Sequence, residues 1–215
     1  RIPGVHSMDI GAGFSKPVIR GLGFNRIAVS ENGIKQEGQQ WGSDHGLEID
    51  AFNIDEVRVR KGPASLLFGS DAMGGVIEVL PPVTPILNGL AGEAVLLGKT
   101  VNGTLGGSLM LGWKRGAWYV KGRYSEQRYG DYRVPTDTVV YLTQKMPVYG
   151  RRLKNTAGVE RNASLFSAYA RGHYRMNVAL SNAYQKMGFF AGAHGVPDLA
   201  RVQDDGDSRN IDLPF

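Results

Sequence analysis

The residues with the greatest potential for chemistry lie in one polar stretch, residues 36–46, which reads Gln-Glu-Gly-Gln-Gln-Trp-Gly-Ser-Asp-His-Gly. Asp44 and His45 place a carboxylate beside an imidazole, and this combination of oxygen and nitrogen donors suits Zn²⁺. Trp41 adds an aromatic ring to the same stretch. An Asp next to a His is also a common exposed loop pair, so metal binding and a solvated loop both stay open.

A second group of potential ligands lies near the end of the sequence. Residues 204–207 faintly resemble a calcium loop, but the regular spacing and the later glutamate of an EF-hand are missing. A solvated acidic loop is therefore the favoured interpretation of this group, which consists of His194, Asp198, Asp204, Asp205 and Asp207.

Motifs for catalysis are missing from the sequence. There is no nucleophile elbow, no phosphate-binding loop and no Ser/His/Asp spacing that exceeds chance, with 4 histidines in 215 residues. The absence of cysteine excludes disulfides and thiolate metal sites. We therefore expect that the protein is not an enzyme and holds no tightly bound cofactor.

Charge is distributed unevenly along the sequence. Residues 1–84 carry 8 basic and 10 acidic side chains, whereas residues 85–215 carry 17 basic and 10 acidic ones. Because no Lys/Arg run with interleaved aromatics accompanies the basic excess, a nucleic-acid partner is not expected. Residues 128–159, with 6 basic and 2 acidic side chains, suit the attraction of an anionic chelate or of lipopolysaccharide phosphates.

The first part of the sequence consists of short β-like segments separated by glycines. Asn32-Gly33 predicts a tight turn, because both residue types tolerate positive φ. Residues 47–52 predict a helical turn that leads into a strand at Val57. The pattern indicates a compact mixed α+β domain, with strands at residues 17–20, 26–30, 57–60 and 76–80.

Three prolines, Pro81, Pro82 and Pro85, interrupt every regular pattern within five residues. Proline lacks the amide donor and disfavours helix in the residue before it. We therefore place a domain boundary here, between residues 1–84 and residues 85–215. No apolar run approaches the roughly 20 residues that a membrane-spanning helix requires.

Beyond the prolines, segments of about ten residues alternate in polarity, with the period of two that is typical of strands. In residues 104–113, Leu105, Leu109 and Leu111 share one face, whereas Thr104 and Ser108 lie on the other. Five strands are expected, at residues 91–101, 104–113, 117–127, 160–171 and 174–187.

After the first pair of strands, the connections alternate in length. Residues 102–103, 114–116 and 172–173 are tight, whereas residues 128–159 and 188–215 are long. Outer-membrane barrels have short periplasmic turns, longer extracellular loops, and lipid-facing residues that alternate with lumen-facing ones. A soluble β-sandwich also has alternating strands and polar loops, so periodicity alone leaves both architectures open.

Residues 1–80 contain a series of motifs that decides between the two architectures. Ile2-Pro3-Gly4-Val5 opens the series, and Ile54–Val79 is its most specific stretch. The residues that carry the motifs are Arg20, Gly21, Asn32, Gly33, Arg58, Gly62, Pro63, Gly69, Gly74 and Gly75. In order and spacing they resemble the plug domain of TonB-dependent outer-membrane receptors, with Lys61 in place of the usual arginine and Glu78 in place of the usual asparagine.

The resemblance implies a plug domain followed by the first strands of an antiparallel transmembrane β-barrel. Plugged transporters have about 22 strands, so we expect most of the barrel to follow Phe215. The resemblance also implies that the TonB-contacting segment precedes Arg1. The implied location is the outer membrane of a Gram-negative bacterium, with outer-membrane lipid around the barrel. The implied function is active uptake of an iron-siderophore, haem, cobalamin or zinc, energised by the TonB complex.

The resemblance also implies a ligand site, since outward-facing plug loops form its floor in such receptors. Ser43-Asp44-His45 is similar to the Pro-Asp-His plug loop of the zinc-uptake branch, in which the carboxylate and the imidazole are metal ligands. The implied ligand contacts are Gln39, Gln40, Trp41, Asp44 and His45, with Asp44 and His45 as the metal ligands.

Two further expectations concern the plug as a whole. Arg20, Arg58, Arg60 and Glu78 are expected to contact the barrel wall. The alternative to a transport receptor is a soluble ligand-binding or adhesive β-domain, which would bury the apolar face of residues 104–187.

Overall fold

The computed structural model of the protein describes residues 2–9, 15–37, 48–188 and 190. It contains a plug region, residues 2–79, and a large antiparallel sheet within residues 89–187. Residues 80–88, which include the three prolines, join the two regions without helix or strand. The described residues contain no helix that is long and apolar enough to cross a membrane.

Six short strands form the plug region, and the four that the sequence predicts are all present within two residues of their expected ends. Their bounds are β1 Val5–Asp9, β2 Ser15–Ile19, β3 Ile27–Glu31, β4 Ile34–Lys35, β5 Val57–Arg60 and β6 Gly75–Val79. β1 and β2 pair with each other, and the other four form a sheet in the order β4-β3-β6-β5. Only β3 and β6 are parallel among these pairs.

The core of the plug region surrounds β3, which is buried along all five residues, as expected for a strand covered on both faces. Ile19, Ile27, Val29 and Val76 are almost completely inaccessible to solvent. Gly75 lies against this core at a φ of +140°, and a Cβ at that position would lie 2.7 Å from the carbonyl oxygen of Arg60. The close approach of the backbones therefore requires glycine there.

The turns of the plug region follow the predicted chemistry. Asn32 and Gly33 have φ values of +53° and +83°, which confirms the predicted turn. The predicted helical turn is a short 3₁₀ helix, Ala51–Asn53, and the side chain of Asp50 accepts a hydrogen bond from the backbone N–H of Phe52 at 2.9 Å. The described helical segments here are all 3₁₀ helices, namely Phe24–Arg26, Ala51–Asn53, Pro63–Phe68 and Ser70–Ala72.

The second region is one five-stranded sheet, here called the barrel sheet, in which all five predicted strands are present. Its strands are β7 Gly89–Lys99, β8 Thr104–Arg115, β9 Trp118–Tyr129, β14 Gly158–Arg171 and β15 Tyr174–Met187. They pair antiparallel in the order β15-β14-β9-β8-β7. Each strand has 11 to 14 residues, enough for a tilted strand to cross a bilayer.

The barrel sheet turns its apolar face outward and its polar face inward. Leu105, Leu109 and Leu111 are 55% to 75% exposed, whereas Lys121 and Arg123 on the opposite face are 4% and 5% exposed. A soluble β-sandwich would show the reverse arrangement, since its apolar faces pack on each other. The alternation predicted from the sequence is therefore that of a membrane-facing sheet.

The long connection between β9 and β14 is more regular than the sequence indicated. It contains four short strands, β10 Tyr132–Arg133, β11 Thr138–Tyr141, β12 Gln144–Pro147 and β13 Arg152–Leu153, in two antiparallel pairs. Met146, Val148 and Phe190 form a small buried cluster of its own. The sequence predicted the long connection but not the short strands within it, because short strands with little apolar alternation leave a weak sequence pattern.

Candidate functional site at the contact between plug and barrel sheet

The plug region contacts the barrel sheet through an ion pair. The Nζ of Lys121 donates to both carboxylate oxygens of Asp55, at 2.8 and 2.7 Å. Asp55 lies just before β5 in the plug region, and Lys121 lies on the inner face of β9. Lys121 is 4% exposed, whereas the side chain of Asp55 is 39% exposed. The buried ammonium therefore depends on the plug carboxylate for its charge partner.

The inner face of the barrel sheet continues as a polar network beyond Lys121, toward the end of β9. Arg123 donates to Ser108 Oγ and to Glu93 Oε1, both at 2.8 Å, which joins β9 to β8 and β7. Gln127 donates to Glu160 Oε2 at 2.6 Å, which joins β9 to β14. The wall around the Asp55–Lys121 ion pair thus consists of charged and amide groups that bond to one another across the strands.

The four residues predicted to contact the barrel wall form no bond to the barrel sheet among the described residues, so their contact with the wall stays a prediction. Arg60 pairs with Glu78 across β5 and β6, inside the plug region. Arg58 pairs with its neighbour Glu56 at 3.5 Å. For Arg20, no bond to the barrel sheet is found among the described residues. The pairs within the plug form because cross-strand and i, i+2 neighbours on one face lie closer than the wall.

The wall contact found among the described residues, that of Asp55, was not predicted. Its sequence context, Ile54-Asp55-Glu56-Val57, shows only that an acidic residue precedes a strand. Lys121 lies on the polar face of its strand, and no sequence pattern links the two residues across 66 positions.

The plug motif residues build turns and close contacts. Pro63 begins the 3₁₀ helix Pro63–Phe68, and a Cβ at Gly74 would lie 2.9 Å from the carbonyl oxygen of Arg26. Positive φ values occur at Arg20, Gly21, Asn32, Gly33, Gly62, Gly69 and Gly75. The motif therefore encodes the path of the plug backbone.

The predicted ligand residues Gln39, Gln40, Trp41, Asp44 and His45 lie outside the described residues, as do His194, Asp198, Asp204, Asp205 and Asp207. Within the described ranges, no group of three His, Asp or Glu side chains has a geometry that would hold a metal ion.

The segments that flank residues 38–47 are well anchored in the plug region. On one side, Lys35 at the end of β4 pairs with Asp71 at 2.5 Å. On the other side, Asp50 caps the 3₁₀ helix that precedes β5. Glu31, 9% exposed at the end of β3, has its pKa raised by burial and further by the nearby charge of Asp50. Two acidic side chains thus lie near the base of the segment that contains the predicted ligand residues.

A sheet with an apolar outer face, joined on its polar inner face to a small glycine-rich domain, is the arrangement of a plugged outer-membrane β-barrel. Residues 1–76 match the family described as TonB-dependent Receptor Plug Domain. This match identifies residues 1–76 as the plug domain of a TonB-dependent receptor, and receptors of this kind lie in the outer membrane of Gram-negative bacteria.

Two curated relatives are similar in sequence. A vitamin B12 transporter BtuB of Photobacterium profundum is 30% identical over 124 residues, which cover 55% of this chain and 20% of that protein. The ferrioxamine B receptor of Salmonella typhimurium is 35% identical over 80 residues, or 36% of this chain and 11% of that protein. The chain therefore spans a fifth or less of the curated relatives that it matches.

Solved structures extend the likeness beyond the plug. The structure of a copper transporter, OprC, matches 87% of this chain and 27% of its own chain, with a TM-score of 0.66 and 17% identity. The match supports the fold, a plug followed by antiparallel barrel strands.

Proposed function

We propose that the protein takes up a scarce metal ion or metal chelate through the outer membrane, with energy from the TonB complex. The observation that carries the proposal is the ion pair between Asp55 of the plug region and Lys121 of the barrel sheet. A transport barrel needs a plug that closes the lumen and yet can be displaced. Polar bonds serve this purpose, because each group released from the contact can be solvated by water.

Similar proteins support the proposed class of ligand. The relatives and neighbours are named as a vitamin B12 transporter, a ferrioxamine B receptor and a copper transporter. Their names have in common a metal ion or a compound that binds one. We therefore propose a metal-bearing small molecule as ligand, with iron-siderophore, haem, cobalamin and zinc as the candidates.

The proposed ligand contacts lie between the two anchored ends of the plug segment described above. Gln39, Gln40 and Trp41 offer amide groups and a ring for an organic chelate, whereas Asp44 and His45 offer oxygen and nitrogen donors for a metal ion. The residues that complete the coordination would come from the rest of the barrel. The TonB complex is proposed as a further partner, through a segment outside this sequence.

Calorimetry on the full-length receptor tests the ligand proposal. Zn²⁺, haem and cobalamin are titrated separately into the purified protein and into its His45→Ala variant. We expect one of the three to bind, and a Zn²⁺ site to lose at least about tenfold in affinity without His45, as expected for the loss of one coordinating ligand. His173→Ala, at a short turn of the barrel sheet, is the matched control and should bind as the wild type does.

The outcomes separate the parts of the proposal. If His45→Ala and His173→Ala both bind Zn²⁺ like the wild type, Asp44 and His45 are not metal ligands. If none of the three compounds binds, zinc, haem and cobalamin are excluded and iron-siderophore is the candidate that is left.

The alternative of a soluble ligand-binding or adhesive β-domain is not favoured. Such a domain would bury Leu105, Leu109 and Leu111, which are instead exposed, and would expose Lys121 and Arg123, which are instead buried.

A further inference from the structure

A cavity of about 610 Å³ lies where the barrel sheet meets the long β9–β14 connection. It is within the usual volume range of small-molecule sites. It is lined by the turn at residues 102–103, by the ends of β8, β9 and β14, and by the pair β10 and β13. Four arginines contribute to its wall, namely Arg128, Arg133, Arg152 and Arg161.

The charge of this cavity is only partly compensated. Glu126 accepts from Arg128 at 2.8 Å and from Arg161 at 3.3 Å, so one carboxylate serves two guanidinium groups. Arg133 and Arg152 stand directly opposite each other on β10 and β13. In the described part of the chain, neither of these two has an acidic side chain within ion-pair distance. Like charges in opposite positions destabilise a strand pair, so an anion between them would relieve the repulsion.

The register of the strands shows which way the cavity faces. Leu105 pairs with Arg128, and Arg128 pairs with Val159, so these three side chains lie on one face of the barrel sheet. Leu105 is 75% exposed on the apolar outer face. Arg128, and Arg161 two residues beyond Val159 on the same strand, therefore border the lipid-facing surface rather than the lumen, and Arg133 and Arg152 line the same cavity.

The cavity also lies at the outer end of the barrel. It is formed by the long connection, at the opposite end of β8 and β9 from their tight turn at residues 116–117. Short turns of bacterial outer-membrane barrels are periplasmic and long loops are extracellular. The site therefore lies at the level of the headgroups in the outer leaflet, with exposed leucines of the same face directed toward the acyl chains.

We propose that this cavity binds the phosphate groups of a glycolipid headgroup in the outer leaflet. Guanidinium groups bind phosphate oxygens through paired N–H donors, and such charge-assisted bonds are the strong ones. Arg133 and Arg152 hold one phosphate between β10 and β13, and Arg128 and Arg161 add positive charge at the membrane side. The bound lipid would fix the long connection against the barrel sheet.

The test uses the full-length receptor purified in detergent, with diphosphoryl lipid A in mixed micelles as the probe. The double variant Arg133→Gln/Arg152→Gln removes the two arginines that lack an acidic partner in the described part of the chain. The matched control, Arg115→Gln/Arg171→Gln, removes the same charge at the other end of the barrel sheet. We expect the apparent Kd for diphosphoryl lipid A to rise at least about tenfold in the first variant and less than about twofold in the control.

Two further arms identify the source of the phosphate. Lipid A without phosphates should bind equally weakly to all variants, and inorganic pyrophosphate should bind the wild type more weakly than diphosphoryl lipid A does. If pyrophosphate binds as tightly as diphosphoryl lipid A, the site takes a soluble anion and the membrane proposal is overturned. An unchanged Kd in the double variant overturns the site itself.

The single variant Arg152→Gln is a control for misfolding of the double variant. Arg152→Gln removes the like-charge repulsion across β10 and β13, so it should fold at least as well as the wild type and still weaken binding of diphosphoryl lipid A severalfold. Wild-type affinity in this variant would overturn the role of Arg152.

Discussion

The plug region and the barrel sheet bury opposite kinds of side chain, although both are built from β-strands. In the plug region, Ile27 and Val76 are buried. In the barrel sheet, Lys121 and Arg123 are buried and Leu111 is exposed. The strand geometry is the same in both, so the difference reflects the surroundings of each sheet. An alternating strand pattern indicates a membrane-spanning sheet only when the structure shows that the apolar face is turned outward.

The plug region and the barrel sheet contact each other through polar side chains. The inner face of the barrel sheet is mostly polar apart from the buried cluster of Tyr119, Phe166 and Ala168, because most of its large apolar side chains lie on the outer face. The plug region therefore depends on bonds such as Asp55 to Lys121, at 2.7 and 2.8 Å.

The largest expected effect comes from a charge on the lipid-facing side. Leu111→Arg should lower the free energy of unfolding of the receptor by about 2–4 kcal/mol near the middle of the bilayer. Leu142→Arg, at an exposed turn of the long connection, should change it by less than about 0.5 kcal/mol. Guanidinium unfolding of the full receptor in lipid vesicles measures both values, and equal effects would contradict an outward apolar face.

The second effect concerns the close packing of the plug region. Gly75→Ala should destabilise the plug by about 1–3 kcal/mol, because the new Cβ meets the carbonyl of Arg60 and the φ is unfavourable. Gly98→Ala in β7, where a Cβ meets nothing within 4 Å, should cost less than about 0.5 kcal/mol. Thermal unfolding of the plug, monitored through its sensitivity to protease, measures the stability of both variants. A Gly75→Ala variant as stable as the wild type would refute the packing argument.

The third effect probes the contact between the two regions. Asp55→Asn leaves the buried Lys121 without its counter-charge and should weaken retention of the plug by about 1–2 kcal/mol, discounted for the partial exposure of Asp55. Lys121→Met should cost less, because the released carboxylate can be solvated. The two single variants and the double variant form a double-mutant cycle, in which the urea concentration that makes the plug accessible to protease is measured for each protein. The cycle gives the coupling energy of the pair, and a coupling near zero would show that the pair does not hold the plug.

The smallest effect depends on pH. Burial raises the pKa of Glu31 in the folded plug, so the folded state binds more protons than the unfolded chain at pH values above about 4.5. The free energy of unfolding therefore falls as pH rises from about 4.5 through the raised pKa. Glu31→Gln should remove this slope and make the plug slightly more stable at neutral pH. Melting temperatures of both proteins across about pH 4 to 8 test the sign, and parallel curves would contradict it.

Much of the fold was predictable because periodicity and turn chemistry are local. The strand Val57–Arg60, the turn at Asn32-Gly33 and all five barrel strands follow from neighbouring residues. The direction of the apolar face did not follow from the pattern, since alternation is the same for lipid and for a protein core. It required the resemblance to a family and then the structure.

The contacts between regions were not predictable from the sequence. Arg60 and Glu78 pair across two plug strands, whereas Asp55 reaches Lys121 in a distant strand. Which acid meets which base depends on how the plug is placed against the barrel, and no local spacing encodes this placement. The sequence also did not predict that Arg128, Arg133, Arg152 and Arg161 line one cavity. The two short strand pairs of the long connection show no clear alternation in the sequence, so their pairing was not predictable.

The central claim, that uptake requires the plug to move away from the barrel wall, can be tested by fixing the contact between them. The printed sequence contains no cysteine, so Asp55→Cys and Lys121→Cys introduce the only thiols within it, and a cleavable bis-maleimide can join them in whole cells. We predict that cross-linked cells still bind Zn²⁺, haem or cobalamin but no longer take it up, and that cleavage of the linker restores uptake. Undiminished uptake with the cross-link complete would contradict the claim.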